Sequence, residues 1–159
     1  MSRRLTIWLT LVVIIVSDQI TKVWARETLK PLGVIEYLGG FVRLQSVENP
    51  GAFLSFGAQW GELTRQWAFQ GGVVLILLFT AWMLWKKPLS RVWVLGLSLI
   101  LAGGIGNLID RVWKDSVTDF LVLGFESLRT GVFNIADAAI ILGMILILLP
   151  EKKPGIARR

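Results

Sequence analysis

Long apolar runs broken by short polar segments dominate this chain. Residues 66–85 (QWAFQGGVVLILLFTAWMLW) and 92–109 (VWVLGLSLILAGGIGNLI) contain no ionisable residue. Each approaches the roughly 20 residues a helix needs to cross a bilayer. Residues 5–24 are uncharged until Asp18 and Lys22, and residues 130–150 carry one charge, Asp137. The pattern predicts an α-helical polytopic membrane protein, with residues 1–159 forming a single integral membrane domain. Its four transmembrane helices fall at about 5–24, 66–85, 92–112 and 131–150.

Between the first two spans, at about 25–65, the pattern changes. VIEYL at 34–38 and FVRLQSV at 41–47 are rich in β-branched and aromatic residues and are separated by Gly39-Gly40. That predicts a hairpin, hence a small external β-sheet between helices 1 and 2. Asn49-Pro50-Gly51 predicts a turn, since Pro presets φ and Gly permits φ > 0, and the following AFLSF can continue as a strand. So small a sheet is marginal alone in water and should rest on the membrane surface or on helix ends. The short segment from Lys86 to Arg91 makes spans two and three antiparallel neighbours. Residues 113–130 are expected to be a second external loop, and the tail EKKPGIARR a disordered cytoplasmic anchor.

Charge adds orientation. The net charge is +6, and of 17 Lys and Arg, nine lie in three short segments: Arg3 and Arg4; Lys86, Lys87 and Arg91; Lys152, Lys153, Arg158 and Arg159. Four spans put all three segments on one side, which the positive-inside rule makes cytoplasmic, with both termini inside. No basic stripe interleaved with aromatics suggests a nucleic-acid partner. The first apolar stretch has features of a removable signal peptide, with Arg3-Arg4 before it and Val23-Trp24-Ala25 after it. Asp18, Gln19 and Lys22 would be odd just before a cleavage site, and losing this span would split the basic segments across the membrane. It is read as a retained span.

The candidate chemistry rests on carboxylates. The chain has no His and no Cys, so the usual base, the thiol nucleophile and the common nitrogen and sulfur metal ligands are missing. An ionisable group within a membrane segment is expensive and marks function by default. Asp18 and Lys22 are spaced to pair on one helix face, either as a bland ion pair or as part of a site. Asn49 beside Pro-Gly is readable as turn chemistry alone. Asn107, Asp110 and Arg111 share a face next to Gly103, Gly104 and Gly106, small residues that allow close helix packing. Asp119 lies just outside span three. Asp137, four residues beyond Phe133, should lie about 6 Å below the start of its helix.

A short loop can bring Asp119 and Asp137 to one depth at the outer interface. Two close carboxylates tend to share a proton, so one can activate water while the other polarises a carbonyl. A serine–lysine pair fails, because Ser17 and Lys22 lie about 140° apart around a helix. No zinc-type ligand cluster and no phosphate-cradling Gly-Lys motif is present. No metal and no cofactor is expected.

Five blocks, DQITK at 18–22, NPGAF at 49–53, GGIGNLIDRV at 103–112, VTDF at 117–120 and FNIADAA at 133–139, occur in order. On them the chain resembles the lipoprotein signal peptidases (signal peptidase II), bacterial inner-membrane aspartyl proteases, over nearly its whole length. The resemblance implies a catalytic dyad of Asp119 and Asp137. It implies a prolipoprotein substrate bearing diacylglycerol on its lipobox cysteine, cut on the amino side of that cysteine at the outer face of the inner membrane. Asn49, Gly51, Asn107, Arg111, Asn134 and Ala136 are then expected to line the substrate site. Asp18, Lys22 and Asp110 would support it, and the sheet would form the family's cradle. Membrane lipids are the other expected partners, with no nucleic acid, and the chain is expected to be a monomer. Ala138 departs from the serine that many members carry there. Two readings from other classes remain open at this point: a small proton-coupled transporter using Asp137, and a non-catalytic membrane scaffold.

Overall fold

The computed structural model of the protein describes residues 1–50, 62–125 and 128–150, with 62–69 as helical backbone only. Gly51, the AFLSF segment and the EKKPGIARR tail lie outside the described residues. α1 runs Arg3–Trp24, its first turn capped by the Ser2 hydroxyl, which accepts from the Leu5 N–H. α3 (Glu62–Lys86) and α4 (Arg91–Lys114) are joined by a short link. α4 is capped by Ser90 and ends where Asp115 takes a left-handed conformation, φ 56°. α5 covers Ile135–Leu148.

Arg3–Leu32 and Arg91–Lys114 are long and apolar enough to cross a membrane, and Gln70–Lys86 and Ile135–Leu148 are shorter apolar helices. Large apolar side chains such as Leu5, Trp8, Val12, Leu75, Phe79 and Ile141 stand exposed on the outer faces of α1, α3 and α5.

Helix α4 is the central element and packs against α1, α3 and α5. Small residues let it do so. A Cβ on Gly103 would run into the Ala136 carbonyl of α5, one on Gly104 into Leu77 of α3, and one on Gly106 would sit 2.8 Å from Asp18 Oδ2 of α1. Three nearby glycines thus face three different helices. Packing this close is what draws the polar side chains of α1, α4 and α5 together.

The structure departs from the sequence expectations in three places. Helical backbone does not stop near residue 25. It passes through a wide turn of π-helix at Ala25–Leu29 into α2 (Lys30–Leu32), and ends at Gly33, φ 76°. The wide turn buries Ala25 and Leu29 against Phe120, so tertiary packing decides the helix end. The sheet, secondly, is not confined to the segment between helices 1 and 2. Its four strands, β1 (Ile35–Tyr37), β2 (Val42–Asn49), β3 (Val117–Phe125) and β4 (Leu128–Arg129), lie in the order β1-β2-β3-β4. The stretch expected to be a loop at 113–130 therefore supplies two strands. VTDFLVLGF is strand-forming in composition, and β2 gives it an antiparallel partner with Val47 opposite Asp119 and a register shift between Leu44 and Val47.

The last helix, thirdly, is 14 residues long and starts at Ile135, because Phe133 bridges Leu121 and Asn134 caps the helix. Asp137 is consequently in the first turn, nearer the helix start than expected.

Basic residues gather at one end of the bundle. Arg3 of α1 donates to the Met83 and Leu84 carbonyls at the end of α3, and Arg3 and Arg91 line a common groove. The sheet and the buried carboxylates lie at the other end.

Candidate active site

Two elements deliver Asp119 and Asp137. β3 is anchored to β2 and, through the Phe120 and Leu121 N–H groups, to the Phe133 carbonyl just before α5. Asp119 is therefore placed by the sheet and Asp137 by a helix start, with Phe133 tying the two together.

Asn134 stands between them. Its side-chain oxygen accepts from the Asp137 N–H at 2.9 Å, and Asp137 Oδ2 accepts from the Asn134 N–H at 3.2 Å, a reciprocal capping box. Asn134 Nδ2 donates to Asp119 Oδ1 at 2.7 Å. Asn49, reaching diagonally across from β2, donates to Asp119 Oδ2 at 3.0 Å. Asn107 of α4 donates to Asp137 Oδ1 at 2.7 Å. All four carboxylate oxygens thus accept from neutral amide donors, and neither carboxylate forms an ion pair among the described residues. Asp119 is 3% exposed. Burial pushes its carboxyl above the usual aspartate range; the hydrogen bond from Asn49 pulls the other way, and the charge of Asp137 adds to the rise.

Below this pair lies a second, compensated cluster. Lys22 Nζ meets Asp18 Oδ2 at 2.7 Å, Asp110 Oδ2 at 3.2 Å and Asn107 Oδ1 at 2.8 Å, so its three protons are all used. Lys22 and Asp18 are fully buried, and Asp110 nearly so. Asp18 Oδ1 accepts from the Ala136 N–H at 2.9 Å, which fixes the start of α5, and Gln19 bridges Asp18 to the Gly106 carbonyl. The Lys22–Asn107–Asp137 sequence of contacts links the two clusters.

Of the residues singled out in the sequence, Asn49, Asn107, Asn134, Asp18, Lys22 and Asp110 all join this network around Asp119 and Asp137. Ala136 is fully buried beneath Asp137, held through its backbone. Arg111 is partly exposed, within electrostatic reach of Asp137, Asp119 and Asp110, and its guanidinium makes no hydrogen bond among the described residues. Gly51 lies outside them. Ser17 bonds the Val13 carbonyl, far from any role with the saturated Lys22.

Sequence reasoning missed Thr118. It is fully buried, accepts from Arg26 at 2.9 Å and Lys114 at 2.8 Å, and donates to Glu48 at 3.0 Å. Its N–H donates to Asp110 at 3.3 Å. Burial pushes Glu48 up, but hydrogen bonds from Ser116 and Thr118 and the charges of Lys114 and Arg26 outweigh it and hold the carboxylate low. This network ties β2 and β3 to α4 at the Glu48–Thr118 pair, which lies between Asn49 and Asp119. The β2–β3 pairing was the only available signal, and it becomes visible only once 117–125 is known to be a strand.

Chemically, two carboxylates joined through one asparagine and held by neutral donors can divide one proton between an acid and a base.

Comparison with known proteins points to one family. The family model described as signal peptidase (SPase) II matches residues 10–151. A lipoprotein signal peptidase of Hydrogenovibrio crunogenus is 34% identical over 152 residues, covering 92% of this chain and 84% of the relative. One from Ralstonia nicotianae is 37% identical over 145 residues, with 91% and 83% covered. A solved structure described as a bacterial membrane enzyme, obtained by the in meso method at 1.9 Å, superposes with a TM-score of 0.77 at 30% identity, covering 90% of each chain.

Proposed function

The chain belongs to the signal peptidase II family, and on that premise we propose that it is an aspartyl endopeptidase that removes the signal peptide from diacylglyceryl-modified prolipoproteins. It cuts on the amino side of the lipidated cysteine. The observation that carries the reading is the Asp119–Asn134–Asp137 arrangement, with four oxygens on neutral donors and no cation in direct contact among the described residues.

In this reading the pair holds one proton. Burial and the charge of Asp137 favour it on Asp119. Asp137 then takes a proton from water as the water oxygen attacks the scissile carbonyl carbon, and Asp119 donates its proton to the carbonyl oxygen. The resulting gem-diol collapses when Asp119 takes back a hydroxyl proton. The C–N bond breaks, and Asp137 passes its proton to the leaving cysteine nitrogen. Water has been added across the peptide bond and the dyad has returned to its starting state. Arg111 is assigned to the substrate, as a donor without a hydrogen bond among the described residues.

We read α1, α3, α4 and α5 as four membrane spans, with the basic end cytoplasmic and the carboxylate end outside. The gathering of Arg3, Arg4, Lys86, Lys87 and Arg91 at one end supports this orientation. The short α5 supports a recessed dyad. Fourteen residues rise about 21 Å, roughly 9 Å less than the hydrocarbon thickness. With its inner end at the cytoplasmic interface, α5 starts below the outer surface, where a lipid-anchored substrate presents its cleavage site. The enzyme works as a monomer on this reading, with lipids around it.

The test is cleavage of a diacylglyceryl-modified prolipoprotein by purified wild type, Asp119→Asn and Asp137→Asn, with thermal unfolding in parallel. Wild-type cleavage, lost in both folded variants, is expected. Substantial activity in a folded Asp137→Asn protein would sink the dyad. An inactive wild type in verified membrane-like conditions would sink the peptidase.

A further inference from the structure

At the end of the bundle opposite the carboxylates, positive charge collects with nothing negative nearby in sequence. Arg3, Arg4, Lys86, Lys87 and Arg91 converge there, and residues 1–9 and 84–95 contain no acid. Arg3 closes the C-terminus of α3 through the Met83 and Leu84 carbonyls. Its Nε–H is nevertheless buried and has no hydrogen-bond partner among the described residues. A buried donor without a partner is rare and costly, so an acceptor from outside the chain is the natural complement.

Two grooves meet at this arginine. One, of about 660 Å³, is lined by Arg3, Arg4, Ile7, Trp8, Leu84 and Trp85. The other, of about 360 Å³, is lined by Arg3, Thr6, Leu89, Arg91 and Val94 among others. Trp8 and Trp85 stack edge to face, ring centres 6.4 Å apart, and both are more than half exposed. Beyond Trp8 the wall continues as the exposed apolar flank of α1, Leu5, Leu9 and Val12. The site is thus cationic at its floor, aromatic at its lip and apolar beyond.

We propose that these grooves hold the headgroup phosphate of an anionic phospholipid, its acyl chains lying along the Trp8 and Trp85 side of the bundle. Arg3, Arg4 and Arg91 take the phosphodiester oxygens, and Arg3 Nε gains the partner it lacks. Paired Trp side chains beside arginines match the headgroup level of a membrane, where basic pockets between helices take anionic lipids. The apolar walls favour a lipid over a free phosphate ion, which would leave them wet. The site is separate from the carboxylates: Arg91 and Asn107 are about 24 Å apart along α4. It goes beyond the peptidase reading and depends only on membrane embedding.

Native mass spectrometry of the full chain, released from neutral detergent after titration with phosphatidylglycerol or phosphatidylcholine, tests it. Phosphatidylglycerol is expected to bind more tightly, and Arg4→Gln/Arg91→Gln to weaken it by about thirtyfold, two basic contacts' worth. Arg4 and Arg91 are exposed and carry no internal hydrogen bond among the described residues, so the fold should persist. Should the double variant not fold, Arg91→Gln alone is read, with about a fivefold loss expected. Lys86→Gln/Lys87→Gln removes the same charge from the same end but lines neither groove, and should retain the lipid. Equal losses in the two double variants would reduce the effect to diffuse surface charge and overturn the site. Displacement of the lipid by inorganic phosphate at matched concentration would make it a free-anion site and overturn the lipid. Equal binding of the two phospholipids would do so as well.

Discussion

Two pairs of aspartates lie side by side in this protein and are handled in opposite ways. Asp18 and Asp110 are joined through Lys22, whose ammonium uses all its protons on them and on Asn107. Asp119 and Asp137 are joined through Asn134, which is neutral. Breaking a buried ion pair leaves an uncompensated charge, so the first pair behaves as a rivet between α1 and α4. The second has oriented donors but no neutralising partner in contact among the described residues. Position alone does not set the two pairs apart; the identity of the bridging side chain, a lysine in one and an asparagine in the other, does.

Crossing that distinction gives the largest expected effects. Asp137→Asn should lower cleavage by about 10²–10⁴-fold and leave the unfolding midpoint near that of wild type, since an amide can still occupy the cap. A large fall in stability would show that the second pair is structural too. Lys22→Met should do the reverse, costing about 3–5 kcal/mol of stability by stranding Asp18 and Asp110. Its rescue sharpens the comparison: Lys22→Met/Asp110→Asn should regain part of the loss in detergent unfolding. A Lys22→Met protein as stable as wild type would refute the rivet.

Asn134→Ala should come next. It removes a helix cap, about 1 kcal/mol, together with the link between the carboxylates, so cleavage should fall further than that stability loss alone explains. Kinetics at matched folded fraction would measure the excess, and no excess would reduce Asn134 to a cap.

The smallest effect is a pH slope. Asp119 holds its proton more tightly when folded than at its ordinary value of 3.8. Its contribution is therefore most favourable below that value, and stability falls as pH rises through the raised folded value. Asp119→Asn abolishes this slope. The unfolding free energy of wild type minus variant should decline with rising pH across that window, and a flat or rising difference would refute it.

Much of this was legible because polar residues in apolar stretches are rare. Asp18, Lys22, Asn107, Asp110 and Asp137 stood out by their surroundings, and the resemblance supplied Asn134 and the site role of Asn49. The sheet was half legible: Gly39-Gly40 marked the first hairpin, but β3 pairs with a strand some seventy residues earlier, a contact no local pattern encodes. Asp119 inside VTDFLVLGF and the glycine at 124 made that strand read as loop. The continuation of helix to Leu32 and the late start of α5 were decided by packing, Leu29 on Phe120 and Phe133 on Leu121. Thr118 carried no signal, because a threonine takes on importance only from what surrounds it.

The capping box at Asn134 and Asp137 has a consequence for how the protein is made. The side chains that start the last helix are the ones that complete the cluster, so the two are finished in one event. On the dyad reading, a ribosome that has emitted α1 to α4 and the sheet has made no protease. Activity, on the same reading, arrives only as the final segment winds into its helix.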